Sequence, residues 1–326
     1  MSEVLWPDWT SLAAAVGRVR FARAVAPREP IVLMFHGVPR NGAGLNALVF
    51  ERHVRFITRH FQVIQHTEIN ARRRPLDKIR VVLTFDDGFR NHADVAAPIL
   101  RKHGVPALFF VSSRHCQPGR FLWFTYLRAL QLHYPKDEVI FAGRSWDMRT
   151  EHRTRTVHRL GELLSGLEPH PVAMYKAIEE ELPALATFTD ALTIEDRYAG
   201  MSEAQVAELA NDPLFDVGAH TVDHPSLTRC APDEMKRQLE ENKSWLERRT
   251  GKPCTDVAYP RGDYNSTVVA RCVDLRFAAG YGVECPGGTG SVMEMPRIGI
   301  YSPSTSVLAL KVVLGTLLRS CGVRLG

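Results

Sequence analysis

The sequence predicts a parallel α/β fold interrupted by a mostly helical insertion. Short runs of β-branched and aromatic residues alternate with helical patterns through the first third of the chain. Turn residues close those runs, as in the Asp-Asp-Gly after "VVLTF". The same alternation resumes near residue 200, after a long stretch dominated by helical spacing.

Taken in order, "PIVLMFHGV" reads as a buried strand ending at His36. "FERHVRFITRHF" has helical spacing, with Phe50, Val54, Ile57 and Phe61 on one side. The strand "VVLTF" follows, then a helix "HADVAAPILRKHG" closed by Gly104, then the strand "PALFFV". From residue 114 to 200 the helical patterns "FLWFTYLRALQLH" and "YKAIEEELPALA" mix with charged stretches, and this region is assigned as the insertion. The core pattern returns with "SEAQVAELAND", where Ser202 and Gln205 fit a capping box, and continues through "LFDVGAH", "PDEMKRQLEENKSWLERRTG" and "DVAYP". The expected organisation is an N-terminal extension (1–29), a core domain in two pieces (30–113 and 201–303), the insertion (114–200) and a C-terminal helix (304–326).

With 326 residues, 45% of them hydrophobic, the chain can bury a sizeable core. A net charge of +5 without a long basic run argues against nucleic acid as a partner. The start "MSEVLWPDWTSLAAAVGRVR" does not read as a secretory signal, and no apolar run reaches a membrane span. The six cysteines are scattered without a CxxC pair and are read as reduced thiols. The expectation is therefore a cytoplasmic protein. The tail "STSVLALKVVLGTLLRSCGVRLG" is apolar on one side with basic residues near its end, so it either packs on the core or touches the inner face of the membrane.

Chemistry is concentrated at three strand ends. In "TFDDG", Asp86 and Asp87 place adjacent carboxylates after a buried strand, where repulsion and lost hydration call for a metal ion or for separate roles. In "GAHTVDHPSL", His220 and His224 have an i, i+4 spacing that suits metal ligation, on a single turn because Pro225 opposes continued helix. In "AYPRGDYN", a Pro-X-Gly turn can aim a backbone N–H outward at an oxyanion. Loops at the carboxyl ends of parallel strands are where α/β sites assemble.

These motifs, in this order, resemble the NodB-homology polysaccharide deacetylases, carbohydrate esterase family four. The resemblance covers roughly residues 30–113 and 200–300. It implies a distorted (β/α)7-type barrel. It also implies Asp86 as catalytic base, with Asp87, His220 and His224 holding a divalent metal, usually zinc. The backbone N–H of Arg261 would serve the oxyanion hole. Pro260, Gly262 and Tyr264 of the same turn, with Trp123 from the insertion, are expected along the substrate face.

The chain departs from the family pattern where a proton must be delivered. No histidine follows His224, Ala258 stands where the family has an arginine, and Arg261 stands where it has a tyrosine. Arg297, in the late segment "MPRIGIY", is too basic to serve as an acid. His36 is the best replacement, since some members with a similar strand-histidine start place their acid there; His92 and His115 are weaker candidates. The other histidines, His53 and His66 among them, read as surface residues. The expected activity is metal-dependent removal of an N-acetyl group from an amino sugar in a saccharide, glycolipid or glycan precursor. Its rivals are hydrolysis of another amide, such as a formyl group or cyclic ureide, and a degenerate saccharide-binding member.

Overall fold

The computed structural model describes residues 30–69, 77–283 and 291–320, with side chains to residue 315. The N-terminal extension, Cys285, Cys321 and the end of the tail lie outside the described residues. Seven strands close into a ring: β1 (Ile31–Phe35), β3 (Arg80–Phe85), β4 (Ala107–Val111), β7 (Phe215–Ala219), β8 (Asp256–Ala258), β9 (Ala279–Gly282) and β10 (Met295–Gly299). Every pairing in the ring is parallel, and β1 closes it by bonding both β10 and β3. A two-residue strand, β2 (Gln62–Val63), adds to the start of β3. The (β/α)7-type barrel expected from the sequence is the observed architecture.

Strand alternation divides the apolar residues into two layers. Ile31, Leu33, Phe35, Val81, Leu83, Phe85, Phe109 and Val111 face outward, into the core shared with the helices. Phe85 stacks on Phe35 and Phe109 at 5.3 and 4.8 Å, with Phe50 edge-on. Val32, Val82, Leu108, Phe110, Ala258 and Tyr281 come from five of the strands and meet inside the ring. Burying each large side chain contributes about 1.5–3 kcal/mol, so the two layers fix the strand register that carries the rim.

Around the ring, α1 (Ala47–His60) starts at Asn46, whose side chain accepts the Val49 N–H, and it buries Phe50, Val54 and Ile57. The segment after β3 opens with π winding at His92–Ala96 before α2 (Ala97–Lys102). Within 114–200 the chain forms α3 (Trp123–His133), the hairpin of β5 (Glu138–Phe141) and β6 (Arg144–Asp147), α4 (Thr150–Gly166), α5 (Pro171–Glu181) and α6 (Ala191–Arg197). These elements share an apolar cluster of their own, running from Trp123 to Tyr198. The hairpin escaped the sequence reading: "EVIFAGRSWD" alternates across a two-residue turn whose Ala142 and Gly143 both have positive φ.

Back in the barrel, α7 (Glu203–Asn211) carries the expected Ser202–Gln205 capping box. It is followed by α8 (Pro232–Thr250), α9 (Ser266–Asp274) and α10 (Thr305–Ser320). Helix α10 packs Leu308, Ala309, Val312 and Val313 into the main core and leaves Val307, Leu310 and Leu314 partly exposed. No helix among the described residues is long and apolar enough to cross a membrane.

Candidate active site

Two consecutive carboxylates in an extended strand point to opposite faces. Here Asp86 continues the inward alternation of Val82 and Thr84, and its N–H still bonds the Phe35 carbonyl. Asp87 then takes a positive φ of 78°, which breaks the alternation and lets both carboxylates serve one rim. Gly88 follows, also at φ 78°, and a Cβ there would meet Val111 Cγ1 at 2.9 Å. The sequence "DDG" is thus a sharp exit from the strand that only glycine completes at its third position.

The His220–His224 pair stands on an irregular loop rather than on the helical turn its spacing suggested. Thr221 and His224 both have left-handed φ, 65° and 57°. The Thr221 hydroxyl accepts the His224 N–H at 3.0 Å, and Pro225 prevents helical continuation. Helix α8 holds the loop from behind. Asn242 Oδ1 accepts the His220 N–H at 3.0 Å, and Gln238 Oε1 accepts those of Val222 and Asp223 at 3.0 and 2.8 Å.

Asp87, His220 and His224 each offer one ligand atom, and these atoms lie within 4.8 Å of one another. His220 Nδ1 donates to the Ala258 carbonyl at 2.9 Å, so its Nε2 presents a lone pair toward Asp87 Oδ1, 3.5 Å away. His224 Nε2 lies 3.4 Å from the same oxygen. Neither Asp87 oxygen accepts a hydrogen bond from a described residue, although the side chain is 1% exposed. Buried acceptors facing one another without a donor are costly, and a cation between them removes the cost. The donor set, two imidazoles and one carboxylate, suits zinc or another divalent metal with room for exchangeable ligands.

Electrostatics separate the two aspartates. Burial alone would raise both carboxyls. The Arg297 guanidinium, with His220 and His36 beside it, outweighs burial at Asp86 and lowers its pKa. Neighbouring His220, with His36 and His224, outweighs burial at Asp87 and holds it well below the carboxylate range. Burial lowers His220 but the two aspartates override it and raise it, whereas burial with neighbouring His220 pushes His224 down to about 3.

Arg297 is the site residue that sequence reasoning missed. From the sequence it enters only as a proton donor, for which it is too basic. Its register opposite Val32 turns it into the ring, where it is 3% exposed. There Nη1 and Nη2 grip Asp86 Oδ1 and Oδ2 at 2.6 and 2.8 Å, and Nε donates to the Gly282 carbonyl at 3.2 Å. This bidentate pair keeps Asp86 ionised and aimed. The absence of an arginine at Ala258 was the available signal that a buried carboxylate needed a cation from elsewhere.

A cleft of about 340 Å³ opens over these groups, lined among others by His36, Asp86, Asp87, Trp123, Phe124, His220, His224, Arg261, Gly262, Arg297 and Tyr301. His36, Asp86, Asp87, His220, His224, Arg261, Gly262 and Trp123 therefore share one cleft. Pro260 and Tyr264 are not among the lining residues. Pro260 is buried in the turn, and Tyr264 stacks on Tyr259 at 4.9 Å against the main core. His115 and His92 are fully buried beneath the rim. His115 faces the Asp87 and Tyr198 carbonyls with its two ring nitrogens, and His92 Nε2 faces the His36 carbonyl at 3.3 Å, so both brace the backbone. His53 is fully buried and the His66 ring is 9% exposed, which corrects their assignment to the surface.

A family model described as polysaccharide deacetylase matches residues 73–138 and 179–280, more than half of the chain. The chain belongs to the polysaccharide deacetylase family. The part of the chain between the two matched segments, 139–178, lies within the 114–200 region that carries the separate apolar cluster. No curated protein matches significantly. Among solved structures, the Streptococcus pyogenes deacetylase PplD in complex with acetate is 18% identical, with 87% of this chain and 98% of that chain covered and a TM-score of 0.54. IcaB from Ammonifex degensii is 17% identical, with 88% and 98% covered and a TM-score of 0.56. A polysaccharide deacetylase from Bacillus cereus is 15% identical, with 87% and 69% covered and a TM-score of 0.52. At these identities the likeness is one of fold.

Proposed function

We propose that this member of the family is a metal-dependent hydrolase that removes an N-acetyl group from an amino sugar of a saccharide, glycolipid or glycan precursor. The observation that carries the reading is the Asp87 carboxylate, buried without a donor and faced by His220 and His224, beside an Asp86 that Arg297 keeps ionised. Family membership and the acetate in the PplD structure support the acyl group.

Asp87, His220 and His224 would hold the cation, which when bound supplies a Lewis acid and makes water easier to ionise. Asp86 takes the proton of the attacking water. Its pairing with Arg297 fixes the carboxylate and makes it a weaker base than a free one, so position contributes more than basicity. The Arg261 N–H is the proposed oxyanion donor. The Pro260–Gly262 turn closes with Gly262 and Asp263 donating to the Tyr259 and Pro260 carbonyls, and neither bond uses it. His36, on the same cleft and with Nδ1 buried without a described partner, returns the proton to the leaving amine. Trp123 and Phe124 wall the acceptor side; Phe124 sits 4.9 Å from the His224 ring.

The test is metal analysis combined with acetate release from N-acetylated mono- and oligosaccharides and their lipid- and nucleotide-linked forms. One metal per chain and stoichiometric acetate are expected, both lost in His224→Ala. Formate release from N-formyl analogues with no acetate would move the reading to another amide. Metal binding with neither product would leave a saccharide-binding member.

A further inference from the structure

Glu168 is a fully buried carboxylate that the proposed chemistry does not use. It follows α4 in a turn whose Leu167 and Glu168 N–H groups bond the Leu164 and Ser165 carbonyls, so its backbone is anchored. Its Oε1 lies 2.8 Å from Arg261 Nη2, and its Oε2 lies 3.5 Å from Arg229 Nη1. The Arg261 guanidinium also lies over the Trp123 ring, 5.4 Å from its centroid. Arg261 itself is the residue at φ 59° in the turn after β8, a backbone conformation that residues other than glycine adopt infrequently. The Arg261 side chain is 37% exposed, but its guanidinium already has an anionic partner. It is pinned between a buried anion and an indole, both contributed by the region between β4 and β7.

We propose that Glu168 is a positioning residue for the deacetylase reaction, acting through Arg261 to fix the Pro260–Gly262 turn and its outward N–H against the metal rim. The inference rests on the role given above to the Arg261 N–H. A carboxylate is rarely buried this fully unless its partner matters. The partner here is the side chain of the residue whose N–H is the proposed oxyanion donor, on the lining of the same cleft. Gly262 completes the turn at φ 76°, and a Cβ on it would meet the Val283 nitrogen at 2.6 Å, so the turn is wedged from the opposite side as well. Fixing a donor before substrate arrives removes the cost of arranging it during reaction.

The experiment compares Glu168→Gln, Arg261→Ala and the double variant, each metal-loaded. Glu168→Gln is expected to lower kcat by about 10- to 100-fold, the scale of a small misplacement of a catalytic group. KM and metal content should change little. Amide hydrogen exchange at residues 261–263 should accelerate. The double variant should be no slower than Arg261→Ala, because Glu168 acts only through that side chain. Multiplying losses in the double variant, or unaltered exchange in a folded Glu168→Gln protein, would overturn the proposal. If Glu168→Gln does not fold, Glu168→Asp keeps the charge but withdraws it by one methylene, and a smaller shift in both exchange and kcat is expected. Wild-type protein that releases no acetate would refute the reaction, and the exchange measurement would still decide the clamp.

Discussion

The barrel carries a histidine–aspartate cluster at each end, and the two are built on opposite principles. At the strand starts, His66 stands between Asp216 and Asp256, 3.4 and 3.3 Å away. Asp256 also accepts from Thr255 Oγ1 at 2.7 Å and from Tyr281 OH at 3.1 Å. Its acceptors are answered by donors inside the protein. At the strand ends, Asp87 has the same kind of neighbours and no donor from any described residue. A closed network of this sort rigidifies a fold, whereas an open one stores a demand for something the protein lacks. Residue types alone do not distinguish the ends; satisfaction of the hydrogen bonds does.

Breaking the upper cluster should produce the largest effects. Asp86→Asn is expected to lose about 10²- to 10⁴-fold in kcat, the range for removing a general base. It also strands a buried guanidinium, and the loss of one partner from such a pair costs about 3–5 kcal/mol. Asp86→Asn/Arg297→Met should therefore recover most of the stability, read by denaturant melts, while recovering no activity. Recovery of neither would mean that Arg297 has a further partner of equal weight.

His36→Ala sharpens the division of labour within the rim. Turnover of an N-acetyl sugar should fall by about 10²- to 10⁴-fold with metal and fold retained. An activated ester, whose leaving group needs no proton, should lose much less. Equal losses on both substrates would assign His36 to binding or to the oxyanion.

The lower cluster should answer in stability alone, and more gently. Burial lowers His66, but Asp256 and Asp216 outweigh it, so its pKa lies above the ordinary 6.5. Its contribution is then fully present below pH 6.5 and is lost as pH rises through the raised value. Asp256 is raised by burial but lowered further by His66, Thr255 and Tyr281. Its contribution holds above its ordinary 3.8 and fades as pH falls through the lowered value. His66→Gln should lower Tm at mildly acidic pH, lower it less in alkali, and leave kcat unchanged. A kcat defect at full metal loading would show that the two ends communicate.

The parts of the site that could be read from sequence are those written locally. "TFDDG" and "HTVDHP" place their side chains within a few residues of a strand end, and the barrel follows from strands recurring between helices. Arg297 was not legible as a partner of Asp86. Its role depends on the register of β10 against β1, a pairing across the length of the chain. Glu168 was hidden for the same reason, because the docking of the turn after α4 onto Arg261 has no signature in either segment. Tyr264 stacks on Tyr259 outside the cleft lining, a placement hidden in the sequence because aromatic residues near a site and in a core look alike until packing separates them.

The closure of the ring by β1 has a consequence during synthesis. The first strand of the barrel must wait for the last, and Asp86 must wait for Arg297, which is 211 residues later in the chain. At the usual elongation rate of about 5–20 residues per second, that interval is roughly 10–40 s. Throughout it the nascent chain holds an open sheet edge and a carboxylate whose counter-ion has not yet been made. Occupation of that edge by a chaperone, or by a second nascent chain, is the hazard this topology carries into the cell.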